Sequence, residues 1–95
     1  MKRVKLAPFP PNPVSDTRTL GLAIRACRTE QGLTIEEAAL TIGIAKQTLS
    51  DIEAGKPTVG TGILLKAAAE LGVVLFVARS RERDRVLHLL KKETR

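Results

Sequence analysis

A chain of 95 residues holds one domain and its tails. Hydrophobic residues make up 43% of it but aromatics only 2%, so the core must be aliphatic and alanine-rich, which suits small packed helices better than a β-sandwich. One cysteine excludes an intrachain disulfide framework and a cysteine metal quartet, and a formal net charge of +6 favours a polyanionic partner.

The charge is unevenly placed. Residues 1–16 carry three cations against one carboxylate, residues 17–78 carry six against six, and residues 79–95 carry seven against three. The surplus sits on the two ends, around a neutral centre. The ends lack large apolar anchors, which favours nucleic acid over a membrane surface. No apolar run approaches membrane-spanning length, and prolines stand where a signal peptide needs an apolar stretch. The expectation is a cytoplasmic protein with no membrane partner.

Residues 1–15 hold four prolines between Pro8 and Pro13 and read as an extended or disordered basic arm, with Val4 and Leu6 open to a short edge strand. Ser15 or Asp16 can cap a first helix that runs to about Gln31 and stops at Gly32. Leu20, Ala23, Ile24, Cys27, Arg28 and Gln31 share its inner face. Cys27 reads as a small buried apolar residue there. Thr34-Ile35-Glu36-Glu37 has the form of a capping box and opens a second helix to about Thr41, with Ile35, Ala38, Ala39 and Ile42 inward. Gly43 permits a sharp turn into the next segment.

Between Gly43 and Gly55 lies a third helix with two faces. Leu49, Ile52 and Glu53 share one side, and Lys46, Gln47, Ser50, Asp51 and Ala54 share the other. The polar side chains of that second stripe are those that bond to base edges: Lys to guanine, Gln to adenine, Asp to cytosine, Ser to several. Alone, such a stripe is also what an ordinary solvated helix presents. Two short helices around a glycine turn, the second polar-faced, make the helix-turn-helix signature, and its third helix is then the recognition helix.

Gly55-Lys56-Pro57 ends that helix. Thr58 or Thr61 can cap a fourth, ending at Leu71-Gly72, with Ile63, Leu64, Ala67, Ala68 and Leu71 inward. Leu65 and Ala69 give it a second apolar edge suited to a partner. Val73-Val74-Leu75-Phe76-Val77 is the one clear strand signal. A lone strand cannot satisfy its own amides and carbonyls, so it is expected to pair with its copy in a homodimer; a fifth helix is the alternative. Beyond Arg79 the chain alternates charge, and Val86, Leu87, Leu89 and Leu90 suggest a short amphipathic helix. His88 is the sole histidine, so neither a metal site nor a catalytic pair assembles around it. No phosphate-binding glycine loop follows the strand. The expectation is a mainly α protein of four to five helices with one C-terminal β-strand, neither an enzyme nor a cofactor carrier. It divides into an arm (1–15), a DNA-binding and dimerisation domain (16–78) and a basic tail (79–95).

Leu20 to Val77 resembles the XRE family of helix-turn-helix proteins, the group of the phage repressors and Cro. The resemblance rests on Leu20-Gly21-x-x-Ile24-Arg25-x-x-Arg28, Gly32-Leu33-Thr34, Glu37-x-Ala39, Ile42-Gly43-Ile44, Thr48-Leu49-Ser50-x-Ile52-Glu53-x-Gly55 and Leu71-Gly72-Val73. The strand after Leu71-Gly72 looks like the HipB-type antitoxin branch, whose dimers close with a small β-ribbon, repress their own operon and hold a kinase toxin inactive. The resemblance implies a homodimeric repressor on a palindromic double-stranded DNA operator, with a HipA-like kinase toxin as a further partner. It implies an ion pair between Arg28 and Glu53, backbone contacts from Thr34, Ala45 and Thr48, and a dimer interface through Leu65, Ala69 and Val73 to Val77. Two positions depart from the family: Ile35 stands where a phosphate-contacting Gln is usual, and Ala45 where a capping Ser or Thr is usual. Affinity then leans on Lys46, Lys56 and the basic ends. The rival class is a protein-binding module whose main task is to neutralise a toxin, through Leu65, Ala69 and the Val86–Leu90 patch; a stand-alone regulator with no toxin is the third.

Overall fold

The computed structural model describes residues 3–11 and 13–93, and five α-helices form among them; Lys2 and Arg95, counted above with the basic ends, lie outside. The first, α1 (Thr17–Glu30), starts where Asp16 takes an extended backbone. Its carboxylate accepts from the Thr19 amide at 2.8 Å and from the Thr19 hydroxyl at 2.6 Å. Such a cap satisfies donors that the first helical turn cannot pair internally. The hydroxyl bond first, and the amide bond second, hold the Asp16 carboxyl below its usual value. Folding lowers this pKa, so the cap's stabilisation is complete above the unfolded carboxylate value of about 4 and is lost as pH falls through the lower folded value. Asp16→Ala is therefore expected to be less stable than the parent chain at neutral pH. In denaturant melts the gap should close as pH drops below about 4. A gap of constant size across that range would rule the carboxylate out as the cap.

The capping box opening α2 (Ile35–Ile42) is present in both directions: the Glu37 amide donates to Thr34 Oγ1 at 3.1 Å, and the Thr34 amide donates to Glu37 Oε1 at 2.8 Å. Gly43 then takes φ +86°, a left-handed conformation that L side chains rarely adopt, and the chain turns at once into α3 (Lys46–Glu53). That tight turn sets the angle between the two helices. Next, α4 (Thr61–Glu70) is capped by Gly60 with no side-chain bond, not by Thr58 or Thr61. Thr61 is already its first helical residue, and Thr58 lies in the preceding turn.

Ile24, Leu49, Ile52 and Leu71 are the largest fully buried side chains. Around them Ala38, Ala39, Ala67 and Ala68 let α2 and α4 approach closely, and Cys27, Leu33, Ile35, Ile44, Val59 and Leu64 complete the cluster. This is the alanine-rich aliphatic core that the composition requires. Ile63, expected inward, is 43% exposed: in the first turn of α4 it is Leu64 that packs on the core. Burial and the neighbouring Glu30 push the Cys27 thiol up, which agrees with a packing role.

Two contacts determine how the ends leave the domain. Gln31 Nε2 donates to the Leu71 carbonyl at 2.8 Å, tying the end of α1 to the end of α4, and the Val73 amide donates to the Ala68 carbonyl at 2.8 Å. Residues 73–79 then run on with neither helix nor ladder. No β-strand is assigned among the described residues, since a ladder needs a second strand and one chain offers none. The C-terminal helix is longer than the patch that announced it: a 3-10 turn (Ser80–Glu82) leads into α5 (Arg83–Glu93). The described residues of the N-terminal arm form neither helix nor strand, and one contact ties them to α1. The Ala7 amide donates to Thr29 Oγ1 at 3.0 Å, and that buried hydroxyl donates to the Ala26 carbonyl at 3.0 Å. Val4 and Leu6 form no edge strand.

Candidate nucleic-acid interface

The placement of α3 follows from its inner face. Leu49 and Ile52 are fully buried, which forces Lys46, Gln47, Ser50 and Asp51 toward the outside. Lys46 and Gln47 are exposed, while Thr48, Ser50 and Asp51 are half-buried. Lys46 and Lys56 reach carboxylates across this surface: Lys46 Nζ lies 3.8 Å from Glu36 Oε1 on α2, and Lys56 Nζ lies 3.3 Å from Asp51 Oδ1. Gln47 Nε2 donates to the same Asp51 oxygen at 2.9 Å. The Gln47 bond, with Lys56 second among the favourable contacts, holds the Asp51 carboxyl below its usual value. Ala45 caps α3 with no side-chain bond, and Thr34 stands half-buried at the head of α2.

Three contacts fix α3 from behind, all at its C-terminal end. The Arg28 guanidinium grips Glu53 in a two-pronged pair, Nε to Oε2 at 2.6 Å and Nη2 to Oε1 at 3.0 Å. Its remaining arm donates from Nη1 to the Leu33 carbonyl at 2.7 Å, so one side chain joins α1, the α1–α2 loop and α3. Both side chains are less than a tenth exposed. The Thr17 hydroxyl donates to the Gly55 carbonyl at 2.9 Å. Gly55 takes φ +77° there, and a Cβ on it would come within 2.6 Å of the Arg18 Cα. Finally, Gly21 of α1 lies directly against the Ile52 and Glu53 carbonyls, where any side chain would collide with backbone. The hydrophobic periodicity gave Gly21 no role; its presence in the family pattern was the only signal.

The residues proposed for subunit contact divide. Val73 turns into the domain's own core. Val74 and Phe76 are 72% exposed and Val77 is 99% exposed, with Leu75, Leu65 and Ala69 also at the surface. Beside them Phe9, Val14, Leu75, Val86, Leu87 and Leu90 line an apolar cleft of about 550 Å³, which brings both ends of the chain to one place. Sequence reasoning missed the arm's share in that cleft. No group of metal-ligating side chains is found among the described residues, and no helix of theirs is long and apolar enough to cross a membrane.

Four helices packed around one aliphatic core, with the third presenting a polar stripe, define the helix-turn-helix class, and the sequence comparisons agree. The helix-turn-helix family model matches residues 24–75, more than half of the chain. A Sinorhizobium fredii protein named as the uncharacterized HTH-type transcriptional regulator y4mF is 34% identical over 64 residues, spanning 67% of this chain and 84% of that one. The chain belongs to the helix-turn-helix family of transcription regulators, in its XRE branch. Its fold is that of HipB: a HipB-O4 20mer complex superposes with a TM-score of 0.64 over 73% of this chain and 97% of that one, at 22% identity. HipB in a HipA-HipB-O2-O3 complex gives a TM-score of 0.65 over the same shares, again at 22% identity.

Proposed function

We propose that this chain is a sequence-specific repressor that binds a palindromic DNA operator as a homodimer, each α3 entering a major groove. One observation carries the reading: the polar stripe of Lys46, Gln47, Ser50 and Asp51 faces outward from a helix whose other side is locked into the core. Lys46 and Gln47 are the base readers, with Ser50 and Asp51 beside them. Thr34, Ala45, Thr48 and Lys56 lie along the flanks, where the DNA backbone passes. The exposed run Val74 to Val77 supports pairing of two copies, because its apolar side chains and unpaired backbone both call for a partner. Leu65 and Ala69 extend that surface.

The test is selection of binding sites from random DNA, repeated with Gln47→Ala. The parent chain is expected to select a palindrome. The variant should lose discrimination at one base pair per half-site, by roughly 5- to 150-fold, the span of one good base contact. Equal affinity for random and selected DNA across a salt series would sink the sequence-specific reading.

A second reading has support of its own. HipB, whose fold this chain shares, is found in a complex with HipA, and Leu65, Leu89 and Leu90 remain exposed here after the domain has folded. A HipA-type kinase toxin held by this chain fits both facts. Co-expression with a kinase encoded beside this gene, followed by co-purification and a phosphorylation assay, separates an antitoxin from a stand-alone regulator.

A further inference from the structure

The outer face of α3 holds a small polar assembly that base reading alone does not explain. Asp51 Oδ1 accepts from Gln47 Nε2 at 2.9 Å and lies 3.3 Å from Lys56 Nζ. The Lys56 amide also donates to the Asp51 carbonyl, at 3.0 Å, so the lysine is tethered at both ends to one residue. Gln47 and Asp51 are four apart on one helix, the spacing at which side chains meet.

We propose that Asp51 is a positioning residue: it orients the Gln47 amide toward an adenine and moors Lys56, and it touches no base itself. The inference rests on the reading of α3 as the helix that meets base edges. An ionised carboxylate only accepts hydrogen bonds, so it can face only the NH2 end of the Gln47 amide. One amide hydrogen is thereby committed to Asp51. With the hydrogen trans to Oε1 committed in this way, the cis hydrogen and Oε1 are left together for the groove, one donor beside one acceptor. Adenine presents the matching pair, an acceptor at N7 and a donor at N6. Guanine presents two acceptors, N7 and O6, and one of them would meet the amide oxygen. An unattached glutamine could flip its amide to suit other edges; this one is held. The Lys56 ammonium offsets the repulsion between a carboxylate and nearby phosphates by placing a cation against the same oxygen. The lowered pKa of Asp51 agrees with both partners being satisfied by the ionised form.

The experiment is site selection and equilibrium binding with Asp51→Ala, Gln47→Ala and the double variant, beside the parent chain. The parent is expected to select adenine at the base pair that Gln47→Ala relaxes. Asp51→Ala should relax that same base pair, and the double variant should discriminate there no worse than Gln47→Ala alone, the non-additivity of two residues acting as one unit. Asp51→Ala relaxing a different base pair, with losses that add, would make Asp51 a direct reader and overturn the inference. So would an unchanged adenine preference in Asp51→Ala. A parent chain that selects no motif would overturn the base-reading role of α3 together with this inference, and so is distinct from either result. A readout free of DNA completes the set: the Gln47 side-chain NH2 resonances should shift in Asp51→Ala while the backbone resonances of the core stay in place. Unmoved NH2 resonances would show that the bond is not held in solution.

Discussion

Arg28→Ala is expected to lower the unfolding free energy by an amount on the order of 3–5 kcal/mol, the usual cost of stranding one partner of a buried ion pair. A domain of this size has roughly 5–14 kcal/mol in all, so the variant should be partly unfolded at modest denaturant. The size follows from the contacts. Arg28 makes three charge-assisted hydrogen bonds, two to Glu53 and one to the Leu33 carbonyl, with both side chains almost out of solvent. Truncation leaves the Glu53 carboxylate and the Leu33 carbonyl without their donor. Arg28→Lys should recover little, because one ammonium cannot span three acceptors in this geometry. Replacing both partners by apolar side chains, Arg28→Met with Glu53→Leu, should recover most of the loss. Urea denaturation of the four chains checks the series. A single-variant loss under about 1 kcal/mol would mean that the pair behaves as an exposed one.

Gly21→Ala is the second large effect. Alanine favours a helix interior over glycine by up to about 1 kcal/mol, so local propensity predicts a gain. The structure predicts a loss. A Cβ at Gly21 would meet the Ile52 carbonyl oxygen and lie 2.9 Å from the Glu53 carbonyl oxygen, and both are backbone of α3. Neither atom can swing aside as the tip of a side chain could, so α3 must move away from α1. Overpacking of this kind costs about 1–3 kcal/mol, enough to outweigh the propensity gain. Operator affinity should fall as well, although Gly21 stands behind the recognition helix. Gly62→Ala in α4 is the control, since nothing lies within 4 Å of its Cβ position. It should be neutral or stabilising in the same urea series. A Gly21→Ala chain as stable as the control would show that the two helices do not meet this closely.

What the sequence disclosed, and what it withheld, follows from how local each signal is. The Asp16 cap, the Thr34–Glu37 box and the Gly43 turn are settled by residues within four positions of one another, and they stand where the pattern puts them. Leu49 and Ile52 fix the orientation of α3 by periodicity alone. The Arg28–Glu53 pair spans 25 residues; periodicity put both on inward faces, and family resemblance paired them. Features that depend on distant surfaces left no such trace. Nothing in a proline-rich arm announces that its Ala7 amide will find the Thr29 hydroxyl 22 residues away. A glycine inside a helix looks like a weakness until the neighbouring carbonyls are seen. At the start of α4 two threonines offer themselves as caps, while Gly60 takes the position. The strand reading of residues 73–77 needs a second chain to form its ladder, which one sequence folded alone does not contain.

The fastenings of α3 have a mechanical consequence. Ile52, Glu53 and Gly55 are pressed or bonded to α1, and at the other end the Gly43 and Ile44 amides donate to the Ala39 carbonyl of α2. Gln47 stands six residues ahead of Glu53, about 9 Å along the axis at 1.5 Å per residue. Over that arm a swing of about 6° carries the tip roughly 1 Å, a large fraction of the tolerance of a hydrogen bond. A substitution such as Gly21→Ala, which touches nothing outside the domain, therefore re-aims Gln47 by pressing on the same short helix. Residues far from the groove govern the aim of those inside it.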